Sequence, residues 1–496
     1  MLTLADILEG LIQQRFAALA MLPIANVVID SREVIRGDLF VAFTGERTNG
    51  HQYVGHAFGR GAIAALVEED LAPATFDVTE AIWVDARYNA AETISAVVKD
   101  AGPDRPVLIR VDSTEAALQK VAKFWRGRFP NLRVVGITGS IGKTTTKELT
   151  AQVLSERFVT LKSEGNLNNA LGVPLTLLRL TEEHEVAVVE MGMDRLGEIT
   201  SYCEWAQPQI GVVTRVAPIH LEKLGSMDNI VLAKSELILA LPDDGVAILN
   251  DDDEAVRGMR QLTRAKVLMA GLSPRADVWA SNVASHGLDG ISFALHYKDE
   301  TELVRVPLLG AHSAQTAVCA AAVGIAAGMS LEEIAEGLMV DPEEQLRLVV
   351  GKGPFDSLVI DDSYNASAES VIAALNVLQD IADPEIGDAE ARMLRVAVLG
   401  DMLELGSAEQ QAHEEVGCRA AMVADVLIAV GERARWIAQA AIECGLDRAQ
   451  VRHVADTAAA LTALREVITR RSAILVKGSR GMQMEKIVAG LGGNSE

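Results

Sequence analysis

Cysteine is scarce and scattered. Cys203, Cys319, Cys418 and Cys444 include no CxxC pair, which predicts neither a disulfide framework nor a zinc site and makes a reducing cytosol the simplest setting. Basic charge is in deficit too. Against 69 Asp and Glu stand 45 Lys and Arg, and the formal net charge of -24 repels a nucleic-acid backbone overall, so any basic site must be local and no nucleic-acid partner is expected. Long apolar runs are also missing. The Ala-rich stretch at 319–329 falls short of a bilayer span, and Asp6 and Glu9 stand near the start without a basic region, so neither a membrane helix nor a signal peptide is expected. What is present is length: 496 residues exceed what one core organises, and roughly three domains are expected.

The most informative stretch is VVGITGSIGKTTTKE at 134–148. An apolar run at 132–137 ends in the turn Gly139-Ser140-Ile141-Gly142, which passes into Lys143-Thr144 and a helix-compatible segment. That order reads as strand, phosphate loop and helix. Glycines let backbone N–H groups turn inward around a polyphosphate, Lys143 adds a mobile positive charge, and the Thr144 hydroxyl is suited to ligate Mg2+. The predicted ligand is a nucleoside triphosphate. Where the strict pattern has its first glycine this chain has Ile137, with Gly136 one place earlier.

Residues 1 to about 112 mix short β-runs at 27–29, 39–43 and 62–67 with helical patches, a small α/β domain. Its polar residues cluster at Asp30-Ser31-Arg32, Gly37-Asp38, Gly45-Glu46-Arg47 and His51. Arg32 and Arg47 follow strand ends and suit either an anion clamp or solvated loop charges. Between 70 and 111, Trp83-Val84-Asp85-Ala86 and Arg110-Val111-Asp112-Ser113 look alike, a local duplication or insertion without assigned chemistry.

From 113 to about 340, apolar runs at 186–189, 210–213, 246–249 and 266–269 alternate with helical patterns, as strands buried on both faces of a parallel sheet do. Ligands in such sheets gather beyond the carboxyl ends of strands. Glu190 ends one run, where Mg2+ bridging the phosphates needs an oxygen ligand. Thr214 ends the next, and His220 follows. Lys234, inside an amphipathic helix at 229–239, reads by itself as a solvated or salt-bridged lysine. β-like segments at 291–297 and 303–309 and helices over 314–339 precede Asp341-Pro342, which marks the second boundary. The last part, 341–496, alternates again: strands at 358–360, 395–399, 426–430 and 473–476 with helices at 370–381 and 409–423, a doubly wound domain. Its first βα turn has no glycine fingerprint and offers Asp361-Asp362-Ser363-Tyr364-Asn365-Ala366 instead, a set suited to ribose or substrate hydrogen bonding.

Taken together, GITGSIGKTTTKE (136–148), GNLNNALGVPLTLLRL (165–180), VVEMGM (188–193), HLEKLGS (220–226), AKSEL (233–237), DDSYNAS (361–367), LGDMLELG (399–406) and LVKGSRG (475–481) resemble the Mur ligase family. Within it they are similar to the branch that adds D-alanyl-D-alanine to UDP-N-acetylmuramoyl-tripeptide. The resemblance implies three α/β domains: 1–112 for the UDP-sugar, 113–340 as a parallel-sheet ATPase domain, and 341–496 as a Rossmann-like domain for the dipeptide. It implies ATP and Mg2+ as cofactors and a monomeric cytoplasmic enzyme of peptidoglycan synthesis.

By position, the resemblance gives Thr138, Gly139, Ser140, Ile141, Gly142, Lys143 and Thr144 to the ATP phosphates, and Thr144 with Glu190 to one Mg2+. His220 falls to a second Mg2+, and Lys234 matches a lysine that is carbamylated in many relatives. Asn166, Asn169, Arg347 and Asp362 fall to the nucleotide. Tyr364, Asn365 and Arg480 fall to the dipeptide, and Ser31, Arg32, Glu46 and Arg47 to the UDP-sugar. Two departures stand out. The family stretch Gly-x-His-Asn-x-x-Asn appears here as Gly310-Ala311-His312-Ser313-Ala314-Gln315-Thr316, which predicts weaker discrimination between ATP and GTP, and the Gly-Arg opening the third domain appears as Leu346-Arg347. The expected reaction runs through an acyl phosphate. Its competitors are a related Mur-type or polyglutamate-type ligase, and a nucleotide-binding regulator without ligase activity.

Overall fold

The computed structural model describes residues 1–45, 48–69, 81–88, 91–102, 105–219, 221–339, 348–382, 392–469 and 471–492. Three sheets organise them. In the first, strands Val27–Val28, Leu39–Val41, Ala64–Val67, Val107–Arg110 and Ile82–Asp85 lie side by side in that order, all parallel. The first look-alike segment lies in strand Ile82–Asp85 and the second begins at the end of its neighbour Val107–Arg110, with Asp85 opposite Arg110. The Gly37-Asp38 pair serves the chain itself: Asp38 is buried and its carboxylate accepts from the backbone N–H groups of Asn26 and Ile35.

The central sheet has nine strands. Seven run parallel in the order Val278–Ser285, Lys266–Gly271, Val246–Asn250, Ile210–Val213, Arg133–Thr138, Val186–Glu190 and Thr160–Lys162, and Ile291–Tyr297 and Glu300–Val306 extend one edge antiparallel. Alternate residues of its inner strands enter different cores, as the two-residue strand period requires. Val135, Ile137 and Val188 pack with helices Lys143–Ser155, Ser313–Ala326 and Leu331–Met339. Val134, Ala187 and Val189 pack with helices Thr114–Arg126, Glu198–Ala206 and Met227–Leu239. The second of these cores continues through Leu4–Ile12 into the first sheet. Strand Val278–Ser285 eluded the sequence pattern because only its first half is buried on alternate positions.

The third sheet places Val349–Lys352, Leu358–Asp362, Ser472–Lys477, Leu394–Gly400, Val426–Val430 and Val451–Val454 side by side, parallel except for the first. It is doubly wound as expected: Ala397 and Leu399 face one core, Val396 and Val398 the other. The second boundary expected near 341 lies outside the described residues.

The expectation of no disulfide is corrected. Helices Glu409–Val423 and Ala434–Glu443 pack side by side, and Cys418 and Cys444 are disulfide-bonded with Cα atoms 5.2 Å apart. Their proximity is created by helix packing around Gly417, where a Cβ would strike the Ile437 carbonyl. A separation of 26 residues carries no local motif for it. Cys203 and Cys319 are free and buried. Among the described residues, no helix is long and apolar enough to cross a membrane.

Candidate active site

Strand Arg133–Thr138 turns through Gly139-Ser140-Ile141-Gly142 into helix Lys143–Ser155, with Gly142 as a left-handed N-cap at φ 84°. Gly139 has φ 152°, and a Cβ there would collide with Thr214 Oγ1. This close approach has a purpose: Thr214 Oγ1 donates to Ile141 O at 2.6 Å, and Ser140 N donates to Arg215 O at 2.6 Å, so the loop is tied to the end of the next strand. Thr138 Oγ1 donates to Met191 O at 2.7 Å. Lys143 Nζ curls over the turn, donating to Gly139 O at 2.8 Å and Ser140 O at 3.3 Å, which holds a positive charge above the helix N-terminus. The off-pattern Gly136 is explained by packing, since a Cβ there would lie 2.8 Å from Leu237 Cδ1.

Glu190 ends its strand buried, 1% exposed. Its Oε1 accepts from Asn168 Nδ2 at 2.8 Å and Thr144 Oγ1 at 3.3 Å, while Oε2 is buried without a hydrogen-bond partner among the described residues. A buried carboxylate oxygen left over beside a threonine hydroxyl is the hard donor set that Mg2+ takes. Residues here therefore fit the metal that the resemblance implies.

Lys234 departs from the reading of its helix as a surface pattern. It is 3% exposed on Met227–Leu239, and desolvation, followed by the charge of Lys143, pushes its pKa well below the lysine range. Among the described residues no hydrogen bond or ion pair reaches its Nζ. His220 lies outside the described residues.

The three asparagines of the GNLNN stretch separate in space. Asn166 Nδ2 donates to Tyr364 OH of the third domain at 2.8 Å. Asn169 Oδ1 accepts from Leu171 N and Gly172 N at 3.1 and 2.9 Å, turning the chain into helix Gly172–Leu178. Asn168, which sequence reasoning passed over, is the one that reaches Glu190. Beneath this loop Lys147 is fully buried; its Nζ donates to Ser163 O at 2.7 Å and Gly165 O at 3.2 Å. Glu148 pairs with Lys147 and with Lys162, each at 2.6 Å. Burial alone would raise the Glu148 pKa, but the hydrogen bonds from the two lysines outweigh it and hold the carboxyl below its ordinary value. Ser163 Oγ in turn accepts from Glu190 N at 3.2 Å.

Asp362 and Lys477 end neighbouring strands in register. Lys477 Nζ meets Asp362 Oδ2 at 2.6 Å and donates to Asn365 O at 2.8 Å. Lys477 is a site residue the sequence reading did not select, although it ends a strand on the same edge. Tyr364 OH also accepts from Arg480 at 3.2 Å, and the guanidinium lies 5.2 Å from the ring centroid. In the LGDMLELG stretch, Asp401 Oδ1 caps Ala434 N at 2.7 Å, while Lys223 of HLEKLGS bridges Asp194 at 2.8 Å and Glu404 at 3.8 Å. Arg347 lies outside the described residues.

A cavity of about 430 Å3 lies between the central and third sheets, with Gly142, Thr144, Thr214, Thr316, Asp362 and Lys477 on its walls. Arg215 and Glu369 form an ion pair across it at 2.8 Å; burial raises the Glu369 pKa despite that partner. His312, open to solvent on the cavity side yet enclosed by protein at longer range, has its pKa lowered by desolvation and then by the charge of Lys477.

In the first domain Ser31 is buried and its hydroxyl is hydrogen-bonded to His56 Nδ1 at 3.0 Å. Arg32 forks onto Asp30, whose pKa these hydrogen bonds lower to about 2. His51 is buried, with its ring bonded to Asn49 Oδ1 and Glu68 N, a structural role. Glu46 and Arg47 lie outside the described residues.

Family models match in three parts: the Mur ligase family, catalytic domain, over residues 23–126; the Mur ligase middle domain over 137–324; and the Mur ligase, glutamate ligase domain, over 347–480. UDP-N-acetylmuramoyl-tripeptide--D-alanyl-D-alanine ligase of Escherichia coli is 36% identical, with 98% of this chain and 97% of that protein covered. A crystal structure of MurF from Acinetobacter baumannii superposes with a TM-score of 0.78 at 31% identity, covering 98% of both chains. MurF ligase from Thermotoga maritima, solved in complex with ADP, gives a TM-score of 0.72 at 25% identity over 94% of this chain and 96% of that one. The chain belongs to the Mur ligase family.

Proposed function

We propose that this chain is an ATP-dependent, ADP-forming amide ligase that adds D-alanyl-D-alanine to UDP-N-acetylmuramoyl-tripeptide, giving the pentapeptide precursor of peptidoglycan. The observation that carries the reading is one cavity faced by both the phosphate loop and the DDSYNA strand end. Full-length likeness to ligases named for that reaction supports the choice of substrates.

The tripeptide carboxylate attacks the γ-phosphorus of ATP, ADP leaves, and an acyl phosphate forms on the peptide. Lys143, at the helix N-terminus, offsets the charge that builds on the transferring group. Thr144 and Glu190 would hold one Mg2+ and His220 a second, with Lys234 as a carbamate facing the metal; when bound, the metal neutralises phosphate charge. The amine of D-alanyl-D-alanine then attacks the activated carbonyl, loses its proton and expels phosphate. Asp362, held by Lys477, and Arg347 serve the nucleotide; Tyr364, Asn365 and Arg480 serve the dipeptide. Ser31, Arg32, Glu46 and Arg47 serve the UDP end, so that 1–112, 113–340 and 341–496 each carry one substrate. Closure of the third domain keeps water from the acyl phosphate. A cytoplasmic setting accords with its need for ATP, and it works there as a monomer.

The test is phosphate release in the presence of ATP and Mg2+. It is expected only when both UDP-N-acetylmuramoyl-tripeptide and D-alanyl-D-alanine are added. Release with a single amino acid in place of the dipeptide, at equal rate, overturns the assignment to this branch.

A further inference from the structure

Gln315 stands in the first turn of helix Ser313–Ala326 and lines the cavity shared with the phosphate loop. Its amide is half used. Nε2 donates to Ala270 O at 3.3 Å and approaches Cys319 Sγ at 3.6 Å, whereas Oε1 is buried and has no hydrogen-bond partner among the described residues. Buried acceptors are nearly always paired in folded proteins, so one left over on a residue of the cavity wall calls for a reason.

The amide has little freedom to turn over. Flipping it would set Oε1 against the Ala270 carbonyl, two acceptors face to face, so an acceptor is what Gln315 offers. Two neighbouring side chains are already engaged. Asn250 Nδ2 donates to Thr214 O at 2.7 Å and its Oδ1 accepts from Asp252 N at 2.9 Å. Ser313 Oγ gives its proton to Leu309 O at 2.8 Å. The two positions where the family stretch has asparagines hold Ser313 and Thr316, and the amide between them in sequence is Gln315.

We infer that Gln315 sets base specificity in this cavity, its Oε1 accepting from the exocyclic 6-amino group of adenine. The inference rests on the proposed reading of the cavity as the nucleotide site. Guanine presents a carbonyl oxygen at that position and would bring a second acceptor against Oε1, a mismatch that hydrogen-bonding sites reject strongly. This reverses the weak ATP-over-GTP discrimination expected from the loss of the asparagines.

Calorimetric titration of the whole protein with ADP, GDP and inosine diphosphate tests it without any substitution. ADP is expected to bind at least about tenfold more tightly than either 6-oxo nucleotide. Equal affinities overturn the inference. Gln315→Met, which removes the acceptor at similar volume, is expected to weaken ADP about tenfold, leave GDP within about twofold and collapse the ratio of kcat/KM for ATP over GTP. An unchanged ratio in a folded Gln315→Met protein also overturns it. Lys143→Ala separates the two levels of argument: if it leaves ADP binding intact, the cavity reading itself falls, and if it weakens ADP while Gln315→Met does nothing, only the role of Gln315 falls.

Discussion

Asn168 Nδ2 donates to Glu190 Oε1 at 2.8 Å, and this bond leaves Oε2 as the unpaired oxygen of a buried carboxylate. Asn168 and Thr144 thereby share Oε1 and fix the carboxylate from two sides. Gly192 secures the approach from below, since a Cβ there would lie 3.0 Å from Asn168 Oδ1. Asn168→Ala is expected to free the carboxylate to rotate, raising the Mg2+ concentration needed for half-maximal rate by about tenfold, the scale of losing a ligand-orienting partner. Rates measured across a Mg2+ series check it, and an unchanged midpoint returns Asn168 to a purely structural part.

Lys143 tests the loop above. Its ammonium sits over Gly139 O and Ser140 O. Lys143→Ala is expected to lower kcat by about a hundredfold or more, as removal of one transition-state charge contact does. Activity within a few-fold of wild type in steady-state assays would remove the phosphate loop from the mechanism.

How much of this was readable beforehand depended on how local each signal was. The phosphate loop was legible because its strand, turn and helix are consecutive. Glu190 was legible because it ends an apolar run. Asn168 was not separable from Asn166 and Asn169 in a string of three amides, since only the fold of 163–172 sends one to Glu190, one to Tyr364 and one to a helix start. Lys477 and Asp362 are far apart in the chain and meet only through strand pairing. The disulfide between Cys418 and Cys444 is of the same kind, created by two helices packing at Gly417.

Lys162 shows a related limit, because it ends a strand and meets Glu148 of a separate helix, making it one arm of the Lys147, Glu148 and Lys162 cluster. Glu148 has its folded pKa below the ordinary 4.5. A depressed carboxylate adds stability that is fully present above its unfolded pKa and is lost as pH falls through the folded one. Glu148→Gln is therefore expected to melt at least about 3 °C below wild type at pH 7. The gap should close as pH drops below 4.5. Thermal melts of both proteins across that range check the sign; a gap that widens on acidification contradicts the cluster's assigned charge state.

Lys234 carries the most exposed prediction, because its helix pattern reads as a surface and the chain buries it within reach of the Lys143 charge. An ammonium enclosed there lacks a counterion among the described residues and would repel Mg2+. Reaction of the neutral amine with CO2 forms an N–C bond and releases a proton, turning the side chain into a carbamate anion with two oxygens of the kind Mg2+ takes. Lys234→Ala is expected to be nearly inactive and to recover in part when acetate or formate is added, since a small carboxylate can occupy the vacated space and supply the missing oxygens. Lys162→Ala is unsuited as the control, given its bond to Glu148. The exposed Lys266 on strand Lys266–Gly271 is the better choice, and Lys266→Ala should retain activity and show no response to added carboxylate. Intact mass under CO2-saturated conditions and 13C labelling with bicarbonate give a readout apart from turnover. Full activity in Lys234→Ala, or a 13C spectrum without a carbamate carbon that disappears in that variant, overturns the modification and leaves the Thr144 and Glu190 assignments standing.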